Sequence, residues 1–131
     1  MNLDHVALEE TDIEAAVALH VDVLGFALLR WGRHVATGRR IAMLADPDGG
    51  KVELIEVEVV TGELAHIAYR TGGPADLDAA HVALLHAGCT ELNPPFRLEP
   101  AKARTSFVRD AAGRRVQLIA YDPDSPDLRK P

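Results

Sequence analysis

The chain has 131 residues, of which 47% are hydrophobic and 26% charged, a balance that is ordinary for a single globular domain. Its formal net charge of -6 argues against nucleic acid or an anionic membrane as the main partner, because both require a concentrated basic face. The single cysteine excludes an internal disulfide framework, and the lack of a signal-like or bilayer-spanning apolar run predicts a cytoplasmic protein.

The first half of the chain predicts a strand, a helix and three further strands, in that order. Alternating hydrophobicity predicts a strand at 2–9, and Thr11 with Glu14 has the spacing of a capping box that begins a helix. Apolar residues then recur at helical spacing as far as Leu24, and Gly25 ends the helix. The three predicted strands lie at 26–35, 38–46 and 51–60.

The second half repeats the first, because the chain contains an internal duplication. Residues 3–8 match residues 64–69, and two later blocks match at a constant offset of 64. These blocks pair residues 12–16 with 76–80 and residues 46–55 with 110–119. The second copy predicts a strand at 63–71, a helix from Pro74 to Gly88, and strands at 90–98, 103–110 and 114–121.

We therefore predict one α+β domain, residues 1–131, built from two βαβββ modules in tandem whose mixed sheets curl around a cleft. Module 1 covers about residues 2–60 and module 2 about residues 63–121. The polar tail, residues 122–131, is broken by prolines, and we expect it to be loosely held.

Four polar residues occupy matching places in the two modules. His5 and His66 share a position in the first strand, and Glu53 and Gln117 share a position in the last strand. Side-chain alternation puts His5 and Glu53 at core-side positions, where a polar group is costly unless it is paired, hydrogen-bonded or bound to metal. Two imidazoles, a carboxylate and an amide oxygen suit a divalent ion of zinc, nickel, cobalt, iron or manganese. The alternative is that the histidines are core residues bonded to backbone and that Glu53 is an edge carboxylate.

Four further histidines lie outside this set, and three of them lie in the predicted helices. His20 and His81 lie on the apolar stripes of the two predicted helices, and we expect each to be a hydrogen-bonded core residue rather than a ligand. His86 lies off its stripe, which predicts an exposed side chain.

Several sequence blocks resemble the vicinal oxygen chelate superfamily of glyoxalases, bleomycin-resistance proteins and extradiol dioxygenases. In module 1 these blocks are Leu-Asp-His-Val-Ala-Leu, Asp-Ile-Glu-Ala-Ala and Val-Leu-Gly-Phe; in module 2 they are Leu-Ala-His-Ile-Ala-Tyr and Asp-Ala-Ala-Gly-Arg-Arg-Val-Gln-Leu-Ile-Ala. The resemblance covers about residues 2–121. It implies a metal-binding cleft whose ligands to a divalent ion are His5, Glu53, His66 and Gln117.

The resemblance also implies a metal-dependent lyase or isomerase of glyoxalase type, in which Glu53 moves a proton on a metal-chelated, small oxygenated substrate. The family usually has Glu where this chain has Gln117, which counts against a dioxygenase. Methylmalonyl-CoA epimerase-like isomerases resemble the chain in carrying two His, one Gln and one Glu, with the modules of Gln and Glu exchanged. The alternative from another class is a non-catalytic protein that binds a small molecule or antibiotic, as bleomycin-resistance proteins do.

Long sheet edges in a protein of this size invite pairing, and we expect a two-fold symmetric homodimer. Its metal ligands are expected to meet either within one chain or across the dimer.

Overall fold

The computed structural model describes residues 1–61 and 64–128, which form two compact units. The N-terminal unit comprises His5–Ala65, and the C-terminal unit comprises His66–Leu128 together with Met1–Asp4. Each unit follows the βαβββ order, so the predicted α+β fold with two modules in tandem is confirmed. The assignment of residues 1–131 to a single domain stays a prediction.

The strands of the N-terminal unit run in the order β2-β3-β4-β1. The elements are β1 (Asn2–Glu10), α1 (Ile13–Ala18), a π-helical segment (Leu19–Val23), β2 (Ala27–Arg33), β3 (Arg40–Ala45) and β4 (Lys51–Glu56). The first strand, β1, pairs in parallel with the last, β4, whereas the other neighbours pair antiparallel. The last strand ends at Glu56, earlier than the predicted residue 60.

The helix of this unit begins one residue later than its predicted start. Asp12 is the N-cap, and its Oδ1 accepts a hydrogen bond from the backbone N–H of Ala15 at 3.1 Å. The predicted capping box of Thr11 with Glu14 is therefore wrong. Instead, the Glu14 carboxylate accepts a hydrogen bond from the guanidinium of Arg40 at 2.7 Å.

After Ala18 the helix widens into the π-helical segment, whose wider turn is closed when the N–H of Leu24 donates to the carbonyl of Leu19 at 3.1 Å. Gly25 follows with φ +78°, a left-handed conformation that glycine adopts without a Cβ clash. The predicted end of the helix at Gly25 is confirmed, and the turn directs the chain into β2.

The core of the N-terminal unit lies between α1 and one face of its sheet. Its buried members are Ile13, Ala16, Ala42, Leu44 and Leu54. They alternate with residues on the other face of β3 and β4, so one face of the sheet is committed to helix packing.

The strands of the C-terminal unit run in the order β5-β8-β7-β6, with β5 and β8 parallel. The elements are β5 (His66–Arg70), α2 (Pro74–His86), β6 (Thr90–Leu98), β7 (Ala103–Arg109) and β8 (Arg115–Tyr121), with 3-10 turns at Glu99–Ala101 and Pro126–Leu128. The predicted helix limits at Pro74 and Gly88 are confirmed, since the helix ends at His86 and Gly88 has φ +104°. The predicted start of β5 at residue 63 lies outside the described residues.

The core of the C-terminal unit has two parts, one on each face of its sheet. Leu77 of α2 packs on Leu118 and Ala120 of β8. A second cluster consists of Ala101, Ala103, Ile119 and Tyr121, with Leu128 against it.

The segment after β8 is held firmly as far as it is described. Ser125 and Asp127 are each 2% exposed. The Ser125 hydroxyl donates to the carbonyl of Ala101 and accepts from the N–H of Asp127, while Leu128 packs on the second cluster. The expectation of a loosely held tail is therefore wrong for residues 125–128, because a buried serine anchors them. Residues 129–131 of the predicted tail lie outside the described residues.

None of the helices in the described part of the chain reaches the length and apolar character needed to cross a membrane.

Candidate metal centre

The N-terminal unit brings together two of the four predicted ligands, His5 and Glu53. The parallel register of β1 and β4 places Ala7 beside Glu53, and His5 lies two residues earlier on the same face. The Nε2 atom of His5 lies 4.0 Å from Oε2 of Glu53. Both residues are buried, His5 at 2% and Glu53 at 9% exposed. The pair offers one nitrogen donor and one carboxylate from adjacent strands.

The face that carries this pair is not the face that packs on α1. Leu54 belongs to the helix-packed core, so its neighbour Glu53 points to the opposite side of β4. Met43 is paired with Glu53 across β3 and β4 and is almost fully buried. The expected core-side position of Glu53 therefore needs correction: the residue is buried, but on the face away from the helix.

The C-terminal unit places His66 and Gln117 in the same relation. Ala68 of β5 is paired with Gln117 of β8, and His66 lies two residues before Ala68 on the same face. His66 is 9% exposed, and its ring meets the ring of Phe107 edge to face at a centroid distance of 5.7 Å. Phe107 is in turn paired with Gln117 across β7 and β8. The repeat in sequence is thus a repeat in register.

The side chain of Gln117 is 4% exposed, and its two polar ends differ. Its Nε2 donates a hydrogen bond to Oγ1 of Thr105 at 2.9 Å. Its Oε1 is buried and has no hydrogen-bond partner among the residues that the structure describes. Buried side-chain oxygens nearly always have a partner, so this oxygen is available to a group outside the described protein, such as water or a metal ion. An amide oxygen is a type of donor that divalent metal ions accept, as are the imidazole and carboxylate groups of the other three predicted ligands.

The three histidines of the predicted helices behave as their positions predict. The Nδ1 of His20 bonds to the carbonyl oxygen of Ala16 at 2.8 Å. His81 is 3% exposed and bonds through Nδ1 to the hydroxyl of Ser106 and through Nε2 to Glu91, both at 2.8 Å. Both are satisfied buried residues, and His86 is exposed, so these predictions are confirmed.

The sequence interpretation missed the neighbours of the four residues on β3 and β7. Met43, Thr105 and Phe107 lie on the same sheet faces as Glu53 and Gln117. The repeat contains a signal for one pair, because Met43 and Phe107 are themselves 64 residues apart. Thr105 carries no such signal, because its contact depends on the antiparallel register of β7 and β8.

Comparison with known proteins agrees with this architecture. The family model for the Glyoxalase/Bleomycin resistance protein/Dioxygenase superfamily matches residues 2–118. The chain belongs to this superfamily. Among curated protein sequences, none matches the chain.

Solved structures similar to this superfamily member include two methylmalonyl-CoA epimerases. The enzyme of Mycobacterium tuberculosis is 26% identical, with a TM-score of 0.78 and coverage of 93% of this chain and 89% of that one. A Streptomyces coelicolor epimerase variant in complex with 2-nitronate-propionyl-CoA is 26% identical, with a TM-score of 0.75 and coverage of 92% and 97%. A hypothetical protein of Bacillus halodurans is 21% identical, with a TM-score of 0.77 and coverage of 95% and 96%, and it shows the fold alone.

Proposed function

We propose that this protein is a divalent-metal-dependent isomerase that moves a proton on the carbon next to a carbonyl group of a small oxygenated substrate. The buried, unpartnered Oε1 of Gln117 carries the proposal, because it is an oxygen donor that the described protein does not use. Gln117 occupies the position that Glu53 occupies in the other unit. In each unit a histidine, His5 or His66, lies at the equivalent position of the neighbouring parallel strand.

His5, Glu53, His66 and Gln117 are the residues that would hold the ion. Two nitrogen and two oxygen donors are typical of zinc and of the neighbouring transition metals. When bound, such an ion supplies positive charge that stabilises negative charge on substrate oxygens. The ligand positions come from strands rather than loops, and sites built on regular elements hold their geometry well.

Glu53 is the residue that would move the proton. A carboxylate can take a proton and return it, whereas the amide of Gln117 cannot act as a base at neutral pH. Because the four-residue set holds one carboxylate, the same group must both remove and return the proton when no second acid takes part. This favours a proton shift between adjacent carbons, as in a glyoxalase-like reaction, or an epimerisation in which the second proton comes from another source.

The substrate class that we propose is a thioester or a thiohemiacetal whose reacting carbon lies next to a carbonyl group. The similarity to methylmalonyl-CoA epimerases at 26% identity makes 2-methylmalonyl thioesters the first candidates. Arg115 supports an anionic substrate, because its exposed guanidinium lies over the Phe107 ring at 5.2 Å. It is two residues before Gln117 on β8 and so shares its face.

The decisive experiment detects proton abstraction without assuming a product. The protein is purified, its metal content is measured, and 2-methylmalonyl-CoA is incubated with it in D2O while exchange at C2 is followed by NMR. A thiohemiacetal of methylglyoxal and glutathione is tested in parallel. We expect stoichiometric transition metal and exchange on one substrate, with loss of exchange on chelation and recovery on adding Zn2+ or Co2+.

A non-catalytic binder gives a different pattern. Such a protein would contain no stoichiometric metal, would exchange neither substrate, and would still bind small aromatic or antibiotic molecules tightly. That combination would overturn the proposal.

A further inference from the structure

The orientation of the Gln117 amide is set by a chain of hydrogen bonds within the C-terminal unit. The hydroxyl of Thr105 donates to the backbone carbonyl of Leu118 at 2.6 Å. The same hydroxyl oxygen accepts from Nε2 of Gln117 at 2.9 Å. Thr105 is fully buried, so water does not compete for these bonds.

The donor and acceptor roles in this series of hydrogen bonds allow only one orientation of the Gln117 amide. A hydroxyl has one proton, and the carbonyl of Leu118 can only accept, so the Thr105 proton is committed to Leu118. Oγ1 of Thr105 can then act only as an acceptor toward Gln117. The amide must present Nε2 to Thr105, and its Oε1 faces the other way, where it is buried without a partner in the described part of the chain.

The other unit has no hydroxyl at the equivalent place. Ile41 lies 64 residues before Thr105 and is paired with Ile55 just as Thr105 is paired with Ile119. The residue that would hold the ion from that unit is Glu53, whose two carboxylate oxygens are both acceptors, so its orientation does not need to be selected. The threonine is therefore found in the unit that carries the amide, where the orientation decides whether the oxygen or the nitrogen of the side chain can face a metal ion.

We propose that Thr105 is a positioning residue that turns Gln117 into an oxygen donor for the metal ion. The inference rests on the proposed function, since it assigns a role at the same site. Groups that orient a metal ligand through its second polar atom commonly contribute about 10- to 100-fold to metal affinity.

The test compares Thr105→Val, which keeps the shape and removes the hydroxyl, with Thr105→Ser, which keeps the hydroxyl. Zn2+ binding to each full-length protein is measured by calorimetry, and folding is checked by thermal unfolding. We expect Thr105→Val to bind Zn2+ about 10- to 100-fold more weakly than the parent and Thr105→Ser to bind nearly as well as the parent. Ser106→Ala is the matched control: it removes a buried hydroxyl from the same strand but on the opposite face, where it bonds to His81. Its Zn2+ affinity should equal that of the parent.

A double-mutant cycle separates orientation from general damage to the fold. In a Gln117→Glu background either oxygen of the carboxylate can bind the ion, so adding Thr105→Val should cost little further affinity. An equal loss in both backgrounds would overturn the inference, because the threonine would then act only on the fold. Should Thr105→Val fail to fold, Thr105→Ala takes its place in the same cycle.

NMR of the Gln117 side chain gives a readout that does not depend on turnover. In the parent and in Thr105→Ser, the Nε2 protons should show contacts to residue 105 both before and after Zn2+ is added. Loss of these contacts on adding Zn2+ to the parent would mean that the amide reverses, and would overturn the inference. If the parent and Thr105→Val bind Zn2+ equally well, this inference is overturned and the proposed function is unaffected. If the parent binds no divalent metal, both the inference and the proposed function are overturned.

Discussion

Glu53 and Gln117 occupy equivalent strand positions, yet only one of them can carry a proton. The register pairs Glu53 with Ala7 and Gln117 with Ala68, so each side chain has a small neighbour on the adjacent parallel strand. Alanine carries only a methyl group, so in both units the paired residue of the adjacent strand is equally small. The difference between the units is therefore chemical rather than geometric.

Glu53→Gln is predicted to keep the shape of the residue and an oxygen donor while removing the base. Exchange of substrate protons in D2O at saturating Zn2+ should fall by roughly two to four powers of ten, the usual contribution of general acid–base catalysis. Metal affinity should also fall, because a neutral donor replaces a charged one. Glu56→Gln on the same strand is the control and should exchange at the parent rate. If Glu53→Gln exchanges as fast as the parent, Glu53 has no role as base.

The four ligand candidates could be predicted from the sequence because aligning the two halves of the chain compares each position with its counterpart. His5 with His66 and Glu53 with Gln117 emerge from alignment of the two halves alone. Thr105 did not emerge, because its role depends on which strand pairs with β8 and in which register. Such pairings between strands are decided by tertiary packing, which no local pattern records.

Among the elements, the order and approximate places of the strands were predicted well, although β4 ends at Glu56 rather than at residue 60, and local caps were predicted less well. Strand limits depend largely on local signals, namely glycine turns and alternating hydrophobicity. The strand β6, for example, was found at its predicted limits. The cap of α1 was misplaced because Thr11 and Asp12 are both good cap residues, and the choice between them depends on how the preceding strand leaves the sheet. The anchoring of Ser125 was missed because its partner, Ala101, lies in a distant turn.

Replacement of the helix cap is the first prediction at this scale. Asp12→Ala removes the acceptor for the N–H of Ala15 and should lower the free energy of unfolding by about 1 kcal/mol. Thr11→Ala, at the cap position that the sequence indicated, should change it by less than about 0.5 kcal/mol. Urea unfolding followed by circular dichroism measures both. A larger loss for Thr11→Ala than for Asp12→Ala would contradict the assignment of the cap.

The second prediction for the elements concerns the buried hydroxyl of Ser125. Ser125→Ala leaves the carbonyl of Ala101 and the N–H of Asp127 without their buried partner, and should cost about 1–3 kcal/mol of unfolding free energy. Asp124→Asn, at an exposed residue that pairs only at the surface with Lys102, is the control and should be much milder. Equal effects of the two variants would mean that the segment is not anchored through Ser125.

For the whole molecule, paired surface carboxylates set the dependence of stability on acid. Hydrogen bonds from arginine hold the pKa of several carboxyl groups below the usual range. The pairs are Glu56 with Arg40, Asp78 with Arg104, and Asp122 with Arg97. A carboxyl whose pKa is lower in the folded state stabilises the fold above its ordinary pKa, near 4, and loses this contribution as the pH falls below it.

The melting temperature should therefore be level near neutral pH and fall as the pH drops below about 4. Arg97 donates to both oxygens of Asp122, at 3.0 and 2.7 Å, so Arg97→Gln should make this decline shallower. Added salt should reduce the difference between the two proteins, because the pair is exposed and screened. A parent whose melting temperature rises on acidification would contradict this assignment.

Assembly of the metal site can be tested by mixing variants. We expect a two-fold symmetric homodimer, and the ligands of one ion come either from one chain or from both. His5→Ala and His66→Ala should each be inactive alone. If the site is shared between chains, a refolded equal mixture should regain about a quarter of the parent exchange rate, because half the dimers carry one intact site. No recovery, with mixed dimers shown by mass spectrometry, would place each site within one chain. A monomeric mass at micromolar concentration would contradict the dimer.

The parallel pairing of first and last strands also governs how each unit can fold. Val6 pairs with Val52, and Ile67 pairs with Val116, so each sheet closes between residues far apart in the chain. Bringing such distant segments together costs loop entropy before any contact repays it, and folding slows accordingly. During synthesis β1 lacks its parallel partner β4 until most of the N-terminal unit has been made. Any chain arrested before Lys51 therefore exposes an unpaired strand edge, and quality control by chaperones would act on that edge.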